Sequence, residues 1–400
     1  MAENRDKKVL NVPALRFPEF SNEWSKDTLQ NVVAFSNGKA HENCVDENGC
    51  YILVNSKFVS TEGSVIKKAT LQLSPLFKSQ FVMVMSDLPN GKALAKCFYI
   101  EEDNIYTLNQ RICSFTAQNG NVSRFLMYQI NRNKYYLRYD DGINQTNLKK
   151  GEVLACPVFI PSIQEQTKIA TFIHLLDKRI ATQTKIIEKY ESLIQAICDT
   201  LIEAEQHKVE LSFNDFGEPY SGLSGKSSED FGEGCQYITY MNVYQNQIID
   251  ITDVGLVKIN DAEQQSVVRY GDILFTLSSE TPNEVGMGAV YLGDTYPLYL
   301  NSFCFGVHII DKSKIFPPFL AYYISIKSFR KAVFPLAQGS TRFNLQKSDF
   351  MKKKFLFPTV EKQNKIYSVL KAFSDKLSIE KNITNLLCEQ KSYLLRQLFI

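Results

Sequence analysis

Tryptophan occurs once in this chain, at Trp24, and histidine four times, at His41, His174, His207 and His308. So few imidazoles leave little material for acid–base or metal chemistry. The nine cysteines are scattered singly and their number is odd, which argues against a disulfide framework and for free thiols in a reducing compartment. His41, Cys44 and Cys50 lie close together, but without a Cys-x-x-Cys pair or a fourth ligand they do not make a zinc site. No apolar run approaches the ~20 residues that a membrane span needs. The polar opening MAENRDKKVL has no apolar segment behind it, so a cytoplasmic chain without membrane contacts is expected. A glycine-rich cofactor fingerprint and a Ser or Cys nucleophile elbow are also missing. The stretch GLSGKSS at 222–228 has Tyr220 where a phosphate-binding loop needs its first glycine, and it reads as a turn. No catalytic residue, metal or cofactor is expected.

What the chain has is length, charge segregation and self-similarity. Its 400 residues, 44% hydrophobic and 22% charged, suit two or three folded domains. The net charge of +2 hides a pattern: residues 312–357 hold ten Lys/Arg against Asp349 as the one acid. Such a segment is a candidate phosphate-facing surface, or a solvated amphipathic face.

The self-similarity is clearest in two proline-led segments. Pro161, Gln166, Lys168, Ile169 and Ile180 match Pro358, Gln363, Lys365, Ile366 and Leu377 at one shift of 197. Upstream at the same shift, Gly142, Asn147 and Leu148 match Gly339, Asn344 and Leu345. Phe125, Leu126 and Tyr128 match Phe319, Leu320 and Tyr322 after a small length change. Near the domain starts, Gly38-Lys39 is set against Gly225-Lys226, and Tyr51-Ile52 against Tyr237-Ile238. The segments between these anchors have diverged.

Each proline-led segment predicts a long helix. In the first, Ile169, Ile173, Leu176, Ile180, Gln183, Ile187, Tyr190, Ile194, Ile197 and Leu201 follow alternating steps of four and three, a heptad seam. In the second the stripe is Ile366, Leu370, Phe373, Leu377, Leu387 and Leu394, with polar residues at other seam positions. At ~1.5 Å per residue such helices form rods of roughly 60 Å. Their opposite net charges favour pairing with each other. Antiparallel pairing would relate the two duplicates by a pseudo-two-fold, with the helices as a spacer.

The duplicated domains mix short strands and helices, an α+β class. The runs YILVNSKFVS, QFVMVMSD and KCFYIEED in the first copy read as strands, as do DILFTLSS, GAVYLGD and SFCFGVHII in the second. SRFLMYQINRN and PPFLAYYISIKSFRKAV read as helices. Amide, hydroxyl and guanidinium groups suited to DNA collect in the loops that follow: Asn144 and Gln145 in the first, Ser340, Thr341, Arg342 and Asn344 in the second. Lys39, Lys57, Lys67 and Lys68, with Lys226 and Lys347, would add attraction to phosphates irrespective of sequence.

In this order, and duplicated, these features resemble the specificity subunit of type I restriction-modification systems. The carriers are LRFPEFSNEW at 15–24, the GKSS and YITYMNV block at 225–243, GDIL from Gly271, the QGSTRFNL loop and the helices led by Pro161 and Pro358. The resemblance spans nearly the whole chain. It implies target recognition domains at 1–160 and 208–357, separated by conserved helices at 161–207 and 358–400. Each domain would read one half of a bipartite, gapped site in double-stranded DNA. The chain itself would be non-catalytic, docking two adenine methyltransferase subunits, with motor-nuclease restriction subunits joining the larger complex. Two departures stand out: Lys362 replaces the acidic Glu165, and the first loop, GINQTNL, lacks a counterpart of Arg342. The competing classes are a methyltransferase or nuclease acting alone, which the missing motifs disfavour, and a coiled-coil scaffold that binds only protein.

Overall fold

The computed structural model describes residues 10–260 and 262–400; residues 1–9, most of the polar opening, lie outside the described residues. The described chain divides into two compact units, one running to Gln183 and including Ile383–Ile400, the other Thr184–Asn382.

In the first unit an antiparallel sheet orders the strands Val33–Asn37, Ile112–Ala117, Phe81–Val84 and Cys97–Tyr99. The continuous apolar run of Phe81–Val84 reflects burial on both faces. Phe81 and Met83 join a core with Trp24, Phe125 and Ile173, while Val82 and Val84 join a second with Phe58, Leu76 and Leu108. A smaller sheet sets Tyr51–Val54 between Lys68–Ala69 and, in parallel, Tyr106–Leu108. Two short antiparallel ladders complete the unit, Ser25–Thr28 with Pro157–Ile160 and Ser86–Asp87 with Thr146–Asn147.

The second unit repeats all four sheets. Gly217–Ser221, Cys304–Ile309, Ile273–Thr276 and Gly288–Val290 form the larger one. Phe231–Ile238 lies between Val254–Val257 and a parallel Tyr299–Leu300. Lys208–Ser212 pairs with Lys354–Pro358, and Ser278–Ser279 with Phe343–Leu345, to which Ala337–Gln338 adds a third strand.

The registers correct the alignment near the domain starts. Gly38 N donates to Ile112 O, and Gly222 N to Cys304 O. A Cβ on Gly38 would lie 1.9 Å from Asn109 O, and one on Gly222 would lie 2.0 Å from Asn301 O. Gly38 therefore matches Gly222, not Gly225, because the close backbone approach excludes a side chain at both positions. The parallel pairing likewise sets Val54 against Leu108 and Ile238 against Leu300, so Tyr51 does not match Tyr237. Beyond Val54 the run YILVNSKFVS turns into the helix Ser56–Ser60, because the Asn55 side chain caps it by accepting from Phe58 N; Thr239 does the same for Asn242 N. The PPFLAYY segment also breaks, into Pro317–Tyr323 and Lys327–Val333.

The long helices span Ile163–Glu203 and Val360–Leu398. Pro161 and Pro358 stand before them rather than in their first turns. In the first unit Ile169 and Ile173 share a core with Leu394 and Leu398, Leu176 packs at its margin, and Asp177 pairs with Lys391 at 2.5 Å. In the second unit Ile194, Cys198 and Ile202 share a core with Ile366 and Leu370, with Phe373 and Leu377 at its edge. There Glu191 pairs with Lys381 and Glu205 with Lys362, so these helical segments run antiparallel. Ile180 and Ile187 are half-buried, and Leu387 is buried. Leu201, expected on the seam, is 36% exposed, and Ile202 is buried in its place. A straight helix drifts from a strict heptad, and here its last turns face the sheet core around Phe213. No helix among the described residues is long and apolar enough to cross a membrane.

Each helix is tied to its unit by the recurring glutamine. Gln166 Oε1 accepts from Val122 N at 2.9 Å, and its amide donates to Asn121 Oδ1 and Pro161 O. Gln363 Oε1 accepts from Phe316 N at 2.8 Å, and its amide donates to Lys314 O and Pro358 O. Both side chains are buried, and each holds the residue that opens the next short helix, Ser123–Ile130 or Pro317–Tyr323. Truncating the amide strands a backbone N–H, at a cost of about 1–3 kcal/mol. Gln363→Ala should destabilise the second unit by that amount in urea denaturation, with the Phe316 amide losing hydrogen-exchange protection. An unchanged midpoint and unchanged protection would refute the clamp.

Candidate nucleic-acid interface

Three backbone ties build one face in each unit. In the first, Asn109 N donates to Val54 O (3.1 Å), Met85 N to Arg111 O (2.9 Å) and Leu148 N to Met85 O (2.8 Å). In the second, Asn301 N donates to Ile238 O (3.0 Å), Leu277 N to Phe303 O (2.8 Å) and Leu345 N to Leu277 O (2.8 Å). These ties gather the same three segments: the end of a strand with its capped helix, the turn at 109–111 or 301–303, and the loop ending at Leu148 or Leu345. Asn147 lies opposite Ser86 in its ladder, and Asn344 opposite Ser278 in the other.

The side chains on the two faces differ. In the first unit exposed Lys57 and Lys67 line a shallow groove with Asn55, Ser56, Asn109, Gln110 and Arg111. Lys39 and Lys68 are exposed as well. Both loop amides already have partners in the fold. Asp141 accepts from Asn144 N (2.8 Å), Asn144 Nδ2 (3.0 Å) and Ile143 N (2.9 Å), and this set of donors, the Asn144 backbone foremost, holds its carboxyl down to about 2. Gln145 donates to Ser86 Oγ at 2.7 Å. The tip of the loop is Ile143, 79% exposed.

In the second unit Ser340, Thr341 and Arg342 sit exposed on the turn between Ala337–Gln338 and Phe343–Leu345. Arg342 lines a cavity with Tyr240, Met241, Tyr244, Glu280, Glu284 and Phe303. The rings of Tyr240 and Tyr244 stack at 5.9 Å. The Tyr244 hydroxyl is pushed up, first by its hydrogen bond to Glu284, while Thr281 and Tyr244 hold the Glu284 carboxyl below its usual range. Lys226 is engaged elsewhere, its side chain 4% exposed and paired with Glu263 at 2.5 Å. Lys347 is partly buried, lying near Ser221 and over the Phe305 ring, and burial lowers its pKa.

Four cations of the basic segment at 312–357 are engaged within the fold, while Lys312, Lys331, Arg342, Lys352 and Lys353 lie exposed. Arg330 donates to the carbonyls of Asn283, Val285 and Gly286. Lys314 reaches Asp311 and Asp215 O, Lys327 pairs with Asp199, and Lys354 pairs with Asp215. Most of their partners lie on elements distant in sequence, which a local charge count does not register. Sequence reasoning missed Arg111 and Phe303. The signal was present, since Leu-Asn recurs at 108–109 and 300–301 just before them.

Residues suited to chemistry are occupied structurally. His41 is buried, with Nδ1 on Lys39 O (2.7 Å) and Nε2 on Thr107 Oγ1 (2.8 Å). Since a carbonyl only accepts, Nδ1 is the donor to Lys39 O. Cys44 packs behind it and Cys50 is exposed; among the described residues no cluster of His, Cys, Asp and Glu could hold a metal.

The description "Type I restriction modification DNA specificity domain" fits residues 21–192 and again 224–389. The S subunit of a type I restriction-modification system from M. genitalium matches the fold with a TM-score of 0.55 at 17% identity, over 97% of this chain and 99% of its own. A chain from a structure describing complex assembly and conformational transition of the type I R-M system also matches at 0.55, with 14% identity over 94% of this chain and 97% of its own. At such identities the structural likeness speaks to fold alone; the two sequence matches, which together cover most of the chain, speak to kinship. The chain belongs to the type I restriction-modification DNA specificity family and is a non-catalytic, sequence-recognising subunit with two specificity domains.

Proposed function

We propose that each unit reads one half of a gapped site in double-stranded DNA, through the face that its three backbone ties assemble. The observation that carries this reading is the pairing of a kept frame with divergent side chains: the carbonyls of Arg111 and Phe303 accept from the equivalent amides of Met85 and Leu277, whose carbonyls in turn hold the loops that end at Leu148 and Leu345. A face kept for packing alone would keep its side chains along with its main chain. Reading different base sequences from one scaffold requires the opposite.

On this reading the recognition domains extend over 1–160 and 208–357. The helices at 161–207 and 358–400 set the interval between half-sites and offer docking surfaces to two methyltransferase subunits, with motor-nuclease subunits completing a cytoplasmic assembly. Lys39, Lys57, Lys67 and Lys68 contribute phosphate attraction, while Ser340, Thr341, Arg342 and Asn344 position or read the second half-site. Asn144 and Gln145 shape the first loop, and Lys226 and Lys347 contribute through the fold around them.

The test is a competition gel shift with the full chain and its methyltransferase partner. Specific binding should weaken steeply with salt: for every phosphate that the protein neutralises, log K should fall by ~0.9 per decade of salt concentration. A complex without sequence preference at any salt concentration would sink the proposal.

The Asp141 loop gives a second check. Its carboxyl is depressed, so the stabilisation is fully present above the ordinary carboxyl range near pH ~4 and is lost as pH falls through about 2. The amides of Ile143 and Asn144 should stay protected from exchange down to about pH 4 and lose protection below it. Asp141→Ala should abolish that protection at neutral pH. Protection that survives the substitution would contradict the assignment.

A further inference from the structure

The turns at 109–111 and 301–303 occupy the same place in the two units but present opposite chemistry. Arg111 is an exposed non-glycine residue held at φ 68°. Its carbonyl is fixed by Met85 N and its neighbour Gln110 donates to Glu42. Lys57, Lys67, Asn55 and Asn109 surround it, with no carboxylate in the groove lining. The guanidinium therefore stands on a rigid turn among donors and cations.

Phe303, its counterpart, is 59% exposed and lies beside Met241, itself 46% exposed, so the turn presents an apolar patch. Its N–H donates to Asn301 Oδ1 (2.9 Å) and its carbonyl accepts from Leu277 N, so this turn is rigid too. Around it are Tyr240, Tyr244 and Met241, two carboxylates in Glu280 and Glu284, and Arg342 as the lone cation of the cavity lining. Where the first unit has Lys57, the second, counted from the matched caps Asn55 and Thr239, has Met241. A phosphate would be repelled by this carboxylate pair, whereas a base edge would not.

We propose that Arg111 and Phe303 are the paired specificity residues of the two half-sites: Arg111 reads a guanine in one half through its O6 and N7 acceptors, and Phe303 packs on a thymine methyl in the other. The inference rests on the reading of these faces as DNA-contacting. An arginine fork matches the two guanine acceptors, and apolar side chains contact the thymine methyl. The flanking lysines of the first groove would hold phosphates on either side. The Glu280 carboxylate would accept from an exocyclic amino group beside the thymine.

The test uses the full chain with its methyltransferase partner, selecting from duplexes randomised at both half-sites. Wild type should return a gapped motif with a guanine in one half and a thymine in the other. Arg111→Ala should erase preference at that guanine, with a loss of about 5- to 150-fold on the wild-type site and the other half unchanged. Arg111→Lys keeps the charge but loses the fork, and should relax the guanine as well. Phe303→Ala should relax only the thymine, and Phe303→Leu should retain it. Thermal melting confirms that each variant is folded. Should Arg111→Ala weaken all sequences equally, Arg111 is a phosphate contact and the assignment fails; it fails too if either alanine variant leaves the motif intact. If wild type selects no motif, the DNA-reading proposal itself falls.

Discussion

The hydrogen bonds from Met85 N to Arg111 O and from Leu148 N to Met85 O, repeated at Leu277, Phe303 and Leu345, join three chain segments through main-chain atoms alone. Because no side chain takes part, the residues at these positions can change without loosening the frame. A cation can give way to a phenyl ring and a lysine to a methionine while the face stays in place. The capped helix starts at Asn55 and Thr239 obey the same logic, since either side chain can accept from the third amide of the helix.

The frame hangs from the long helices by side-chain hydrogen bonds at matched positions. Gln166 and Gln363 each use both ends of a buried amide, and few other side chains offer an acceptor and two donors in that space. Tyr128 donates to Asp177, and its counterpart Tyr322 donates to Ser374. Function thus divides by chemistry: side chains of the helices fix each domain, and main-chain ties fix the face that each domain presents.

Much of this was legible in the sequence, and the boundary is physical. The helices and their shift of 197 stood out because a seam repeats apolar residues at short intervals, and the glutamines because they are needed at one spot. The domain starts misaligned because glycine and lysine are common enough to match by chance at Gly225-Lys226, whereas the position at Gly222 is set by a carbonyl far along the chain. Leu201 satisfied a heptad but not the curvature of packing at the helix end. The loop amides Asn144 and Gln145 looked available because their partners, Asp141 and Ser86, show only in the fold. Arg111 and Phe303 were overlooked because the residues themselves are unlike and only the short Leu-Asn before each marks their equivalence.

The departure at Lys362 also finds its meaning in the fold. Glu165, nearly fully buried, takes a two-pronged hydrogen bond from Arg16 and a third from Trp24, while Lys362 takes Glu205. The two helix starts carry the same kind of lock with its polarity reversed. A chimaera that spliced the opening segment of the first unit onto the second helix would set Arg16 against Lys362, cation facing cation. A chimaera that carries a domain's opening segment together with its own helix start keeps each pair matched.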